Sequence, residues 1–408
     1  MMAKRRTQQV GQYDAPTGWQ LWHHPDLESD GWECLLYSDS NLLGTPENIG
    51  PFTLYTTGIP AGQGDQPTGQ LVLRIPHADS QRQLGAQWSL QDATRRGKLW
   101  LGAGPDEEVA ALLSLSLNIR LRSGGLVRRF PHGSDPAGVP EMHGHHVPGM
   151  VPAAPYRIQL PALRGSLQPI GPGLEFLAGY SRLDPTSAFV LAKAARQYAD
   201  ALWVAVSDPE QAWLQLVTAL EAVAVHVQAE ADPVETFRQE QPKAASVIEA
   251  LDGGQDALPK VAKEFARLLG AGRRVRDFVD RYRPEVPEHR PQRPQWRVDW
   301  TQLDTAIKKI YGFRSKLLHE GQPLPPAMAV TCVETDDNGA LAESPSNDTI
   351  HGSGNAAWEA GAVPMHLWMF AHIVRGCLLN WFTEQTAVDE PGGALANCGP
   401  NAETLLAG

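Results

Sequence analysis

Cysteine is scarce in this chain. Its 408 residues hold four, Cys34, Cys332, Cys377 and Cys398, scattered and with no CxxC pair. That argues against a disulfide framework and against a thiolate zinc site. Long apolar runs are missing as well: none reaches the ~18–20 residues that a membrane helix needs. The opening MMAKRRTQQVGQYDAP carries basic residues with no apolar segment behind them, which does not read as a signal peptide. These absences lead us to expect a cytoplasmic protein with no membrane partner. Positive charge is also short. The net charge is −11, and a chain this acidic is not a general coat for nucleic acid.

Apolar residues, by contrast, are plentiful. They make up 42% of the chain against 20% charged, an ordinary balance for a good core. The length predicts two or three domains. Charge is uneven: from Arg273 to Arg297 eight arginines face Asp277, Asp280, Glu285 and Glu288. A polyanion would be met there, with Arg273, Arg274 and Arg276 at its head. The same segment also reads as a solvated, proline-spaced loop.

Residues 1–165 read as a mixed, strand-rich domain. The runs ECLLYS, FTLYTT, QLVLRI and KLWLGA are short and separated by Gly, Pro and Asp clusters, which suits strands. One helix is signalled there by DEEVAALLSLSLNIRLRSGG, with acids in its first turn and a glycine pair at its end. A long loop follows, carrying His143, His145 and His146. Histidines so spaced can bind a metal, but they lie among Gly and Pro with no thiolate, so no metal site and no cofactor is expected.

Residues 166–390 change character. Long helical patterns start at PTSAFV, DPEQAW, PKVAKE, DWTQLD and PMHLWM, and no strand is needed, so a helical bundle is expected. The fold class is therefore α+β overall. Within the bundle, residues 322–356 lack helical period and are rich in Pro, Ser, Gly, Asn and Asp; they are expected to form a flexible insert. Residues 391–408 read as a flexible tail.

Two charges interrupt apolar stripes in the bundle. In DWTQLDTAIKKIYGFRSKLLHEG the stripe is Leu303, Ile307, Ile310, then Arg314, then Leu317. His319 falls in the last turn, before the helix stop expected at Gly321. In AWLQLVTALEAVAVHV, Glu221 lies four after Val217 and four before Val225. An inward Arg and an inward Glu in one bundle suggest a pair. It is either a structural salt bridge or part of a shared polar site.

The stretch YGFRSKLLHEG resembles the Arg-x4-His signature of HEPN domains, and its setting after LVTALEAV is similar to the Apea-like branch of that superfamily. The resemblance covers about residues 180–385. It implies a helical bundle that pairs into a homodimer, and a metal-independent ribonuclease of a toxin or defence system. His319 would be the general acid/base, Arg314 would bind the scissile phosphate, Glu221 would be a polar neighbour, and Lys316 with the arginines at 273–276 would contact RNA. Other members of the superfamily are non-catalytic modules that bind RNA or assemble with proteins. Residues 1–165 would then act as a sensor. A third reading is a toxin held by an antitoxin, or by a nucleotidyltransferase that modifies a tyrosine; Tyr311 lies close to the motif.

Overall fold

The computed structural model describes residues 17–23, 30–61, 66–77, 101–130, 139–140, 145–151, 160, 167–227, 232–330, 332, 335–345, 351–353, 356–358 and 361–387. A short helix, α1 (Gly18–Trp22), precedes β1 (Asp30–Ser38), β2 (Asn41–Leu43), β3 (Glu47–Ile49), β4 (Phe52–Thr56) and β5 (Thr68–His77). Helix α2 (Pro105–Leu117) follows, then β6 (Arg122–Phe130), β7 (Val139–Pro140) and β8 (Leu167–Pro169). The helical part runs α3 (Gly171–Tyr180), α4 (Pro185–Val204), α5 (Pro209–Val227), α6 (Pro233–Glu240), α7 (Pro242–Glu249), α8 (Gly254–Leu269), α9 (Ala271–Tyr282), α10 (Leu303–Glu320), α11 (Pro326–Ala329) and, past the small hairpin β9 (His351–Ser353) and β10 (Ala356–Trp358), α12 (Leu367–Ala387). The α+β class is as expected. No helix among the described residues is long and apolar enough to cross a membrane.

The sheet order is β3-β4-β5-β1-β6-β7, and every neighbouring pair is antiparallel. The alternation in QLVLRI explains its strand. Leu71, Leu73 and Ile75 point inward and are fully buried, while Val72 and Arg74 take the other face. On that face Glu33 of β1 lies opposite Arg74 of β5 and Arg128 of β6, and binds both, Arg74 Nη2 at 2.8 Å and Arg128 Nε at 3.0 Å. The carboxylate thus ties three central strands together. KLWLGA does not add a strand where it is described: Leu101 to Ala103 are irregular.

Helix α2 stops earlier than its sequence suggests. Asn118 takes the left-handed conformation at φ 53°, and the glycine pair expected to end the helix lies inside β6. At Gly124 a Cβ would come 2.5 Å from the Tyr37 ring and 2.6 Å from the His146 carbonyl oxygen. That close approach, not a helix stop, is what the glycine permits.

The boundary expected at 165/166 divides strand-rich from helical sequence but does not divide the core. One buried cluster runs from Leu36, Leu71 and Leu73 of the sheet through Leu112 and Leu113 of α2 to Leu191, Leu220 and Trp381 of the helices. Helix α2 is buried almost all round, as a helix between two layers must be. Its Glu108 accepts hydrogen bonds from the Gly18 N–H and the Tyr180 hydroxyl, both at 2.7 Å, joining α1, α2 and α3. Parallel pairing of β2 with β8 crosses the same boundary.

The insert expected at 322–356 makes contacts with the bundle. Where described, residues 322–345 pack on the bundle: Leu324, Met328, Cys332 and Ala342 are buried and Glu343 is wholly inaccessible. Arg290 grips Glu343 through Nε and Nη2, each at 2.6 Å, and the Val298 N–H donates to it at 2.7 Å. Trp213 and Trp368 donate their indole N–H groups to the carbonyls of Met328 and Ala342. Distant arginine and tryptophan residues thus supply the partners that this polar segment lacks locally. The tail expected at 391–408 lies outside the described residues.

Candidate functional site

Helices α5 and α10 bring the two anomalous charges together. Leu303, Ile307 and Ile310 of α10 are buried, and Leu216, Val217 and Leu220 of α5 are buried. Further along, both stripes rise to the surface: Leu318 is 51% exposed and Val225 60% exposed. Arg314 and Glu221 sit where the stripes emerge. Arg314 Nη2 lies 3.0 Å from Glu221 Oε2, with the side chains 22% and 20% exposed. The pair therefore belongs to the rim of the core rather than to a dry interior.

Tyr311, one turn before Arg314, completes the cluster. Its hydroxyl donates to Glu221 Oε1 at 2.8 Å, and the Arg314 guanidinium stands 5.5 Å from its ring centroid. Burial, and then the Glu221 carboxylate that holds its proton, push the Tyr311 hydroxyl up to about 12. Each Glu221 oxygen thus has one donor. Arg314 is less well served, because its Nε is buried with no hydrogen-bond partner. Arg274 of α9 is in the same position: its Nε is buried without a partner. Its charge is felt at Tyr311. Two guanidinium groups, Arg314 and Arg274, thus each keep a buried Nε without a partner. Both Nε atoms are closed to solvent, so an oxyanion would be met by the other nitrogens of the partly exposed guanidinium groups.

His319 is exposed in the last turn of α10. The helix continues to Glu320 and stops at Gly321 with φ 65°, where the Gly321 N–H donates to the Lys316 carbonyl. Arg314 and His319 both lie inside regular helix. Positions five apart differ by about 140° around an ideal axis, so they do not share a face. Lys316 is exposed on the same turn.

The basic segment is largely spent within the chain. Arg276 Nε pairs with Asp304 at 2.9 Å, Arg281 with Glu384 at 2.6 Å, and Arg290 with buried Glu343. Arg273 meets Asp277 at 3.5 Å and hydrogen-bonds Gln239. Arg297 donates to the Pro291 carbonyl, and Arg293 lies over Trp296 at 4.4 Å. Of the three arginines proposed from sequence to meet RNA, Arg274 alone has a side chain with neither a hydrogen bond nor an ion pair among the described residues.

No protein-family model, curated protein or solved structure matches this chain. The site is therefore read from its own geometry.

The remaining sequence candidates are dispersed. His143 lies outside the described residues. His145 Nε2 meets the Tyr37 hydroxyl at 3.1 Å, and the His146 N–H donates to the Gly124 carbonyl at 2.7 Å. No His, Cys, Asp and Glu cluster suited to a metal occurs among the described residues. Sequence reasoning passed over His226, at the end of α5. It meets the Ser187 hydroxyl at 2.9 Å and lines a polar cleft of about 250 Å³ with Arg281, Tyr282, Trp381 and Glu384. Its i+5 spacing from Glu221 gave no periodic signal. Tyr311 was noticed for its nearness to the motif, but its bond to Glu221 spans 90 residues and left no local trace.

Proposed function

We propose that this chain is a metal-independent endoribonuclease of the HEPN kind, working as a homodimer in a toxin or defence setting. The observation that carries the reading is the half-satisfied Arg314. It is held in place by Glu221 through one nitrogen, keeps a buried Nε unused, and shares its helix with an exposed His319. A guanidinium already oriented by a carboxylate can meet phosphate oxygens with little further loss of rotamer freedom. In the reaction the RNA 2′-hydroxyl attacks the adjacent phosphorus and the bond to the 5′-oxygen breaks. His319 handles the proton, taking it from the nucleophile or giving it to the leaving oxygen. Arg314 stabilises the charge that builds on the non-bridging oxygens.

The same geometry supports dimerisation. Within one chain Arg314 and His319 lie about 140° apart around the helix axis, so they share a groove if the long Arg side chain sweeps round or if a second copy supplies the other half, and our reading takes the second copy. Val225 and Leu318 lie one turn beyond Glu221 and Arg314 on their helices, and both are exposed apolar residues. They suit a two-fold contact that would cover them.

The test is cleavage of labelled RNA by the full chain, with and without chelator. Wild type should yield 2′,3′-cyclic phosphate ends at an unchanged rate in chelator. His319→Ala should abolish cleavage, and Arg314→Lys should not restore full activity, because a point charge lacks the fork. Cleavage that survives in His319→Ala, or that vanishes with chelator, contradicts the mechanism. A second reading is favoured by the internal pairing of Arg273, Arg276, Arg281 and Arg290, which leaves little free charge for RNA. On it the bundle is a non-catalytic module for RNA or a protein partner, such as an antitoxin or a nucleotidyltransferase, with the strand-rich part as sensor. Absence of cleavage by wild type on every RNA tried favours that alternative.

A further inference from the structure

A cleft of about 310 Å³ opens where α2 and α4 meet α12 and the turn at 339–341. That volume is at the small end of the range for small-molecule sites, roughly 300–1,000 Å³. Its walls are mainly apolar, with Leu202, Leu341 and the Trp368 ring among them. Tyr198 adds a ring whose hydroxyl is already engaged, donating to Asn118 Oδ1 at 2.8 Å.

Arg375 is the one formally charged side chain among the described residues that line the cleft. Arg375, His372 and His289 line it, and among the described residues no Asp or Glu does, although the Glu288 carboxylate lies 4.0 Å from His289 Nδ1. Arg375 is the telling one. Its Nε donates to the Leu115 carbonyl at 2.8 Å and its Nη2 to the Ser116 carbonyl. Those two oxygens belong to the last turn of α2, so the guanidinium is fixed in orientation. Nη1 has no partner among the described residues, and no carboxylate pairs with the group. A half-buried, rigid cation without a counter-ion beside an apolar wall is suited to an anion that brings its own apolar body. His372 is held as well, its Nε2 3.1 Å from the Glu285 carbonyl.

We propose that this cleft is a binding site for a small flat aromatic molecule carrying one anionic group. The ring system lies between Trp368, Leu202 and Leu341, and the anion meets Arg375 Nη1. The site is independent of the ribonuclease reading. It involves neither α5 nor α10, and it joins the strand-rich part to the helices and the insert. A ligand here would brace all three against one another.

The test uses anilinonaphthalene sulfonate, a fluorescent aromatic anion, and phenylnaphthylamine, which has the same rings without the anion. Titrated into the full chain, the sulfonate should show one saturable site, and the uncharged analogue should bind about tenfold or more weakly, as expected for one lost charge-assisted hydrogen bond. Ala340→Trp fills the mouth from a half-buried loop position and should abolish the saturable binding. Arg375→Gln should weaken it about tenfold or more. Because Arg375 also holds the end of α2, thermal melting accompanies that variant; if it does not fold, Ala340→Trp decides. Absence of saturable sulfonate binding overturns the proposal. So does binding unchanged in Ala340→Trp, or equal affinity for the uncharged analogue.

Discussion

Two Arg–Glu pairs in this molecule differ in a way that separates structure from function. Glu343 is wholly buried and receives three donors, two from Arg290 and one from the Val298 backbone. Glu221 is 20% exposed and receives one donor from Arg314 and one from Tyr311. Arg290 spends Nε and Nη2 on Glu343 and reaches the Val298 carbonyl with Nη2 as well. Arg314 spends one nitrogen and leaves Nε buried and idle. A saturated pair holds a fold together. An unsaturated pair at the rim of a core keeps capacity for something else.

The comparison is easiest to break at its rigid end. Arg290→Ala leaves a fully buried carboxylate without its counter-charge, so about 3–5 kcal/mol of stability should be lost. Chemical denaturation checks it, and the insert should become protease-sensitive at the same time. A loss under about 1 kcal/mol would mean that the pair is no more structural than a surface bridge.

Neutralising each acid sharpens the contrast. Glu343→Gln should cost about 1.5–3 kcal/mol, the scale of hydrogen bonds to charged groups. Glu221→Gln should cost about 1 kcal/mol or less, as expected for a partly exposed pair. Raising salt toward 1 M should weaken the Glu221 pair further and leave the Glu343 pair almost unchanged, because burial excludes the screening ions. Equal costs measured at both positions would erase the distinction.

The smallest effect concerns pH. Tyr311 keeps its proton in the folded state up to about pH 12, whereas an unfolded tyrosine loses it near pH 10. Between these values the folded state binds more protons than the unfolded one. Stability is therefore full below about pH 10 and falls as pH rises toward 12. Tyr311→Phe should remove part of that alkaline loss, read from denaturation midpoints at pH 9 to 11. Tyr282, pushed up to about 12 by burial and by Glu384, should account for part of the remainder. A slope unchanged in Tyr311→Phe would show that its hydroxyl is free of Glu221 in solution.

What could be read beforehand followed from local physics. Leu71, Leu73 and Ile75 alternate, and the alternation gave the strand. Pro185 follows Asp184, whose side chain caps the Thr186 and Ser187 N–H groups, so the start of α4 was visible. The Glu221–Arg314 meeting was visible too, because each charge broke an apolar period. What was hidden depends on distant partners. The insert is tied to the bundle through Arg290, 53 residues before Glu343. The continuous core depends on α2 being covered on both sides, and its period alone does not say by what. The end of α2 at Asn118 rests on a single left-handed residue, which the glycine pair downstream masked. The basic segment misled because sequence shows charge but not its partners: Asp304 lies just past its end and Glu384 far beyond it.

The most direct test of the central claim is the RNA cleavage rate of Arg314→Ala, set beside that of Arg290→Ala at a temperature where both are folded. The account predicts that Arg314→Ala loses at least about a hundredfold in rate, the scale of one lost electrostatic contact to a developing oxyanion. Its denaturation midpoint should correspond to a change of about 1 kcal/mol or less. Arg290→Ala should lose stability but keep its rate per folded molecule. Wild-type cleavage by Arg314→Ala would contradict the account, and so would a loss of cleavage by both variants in proportion to their loss of stability.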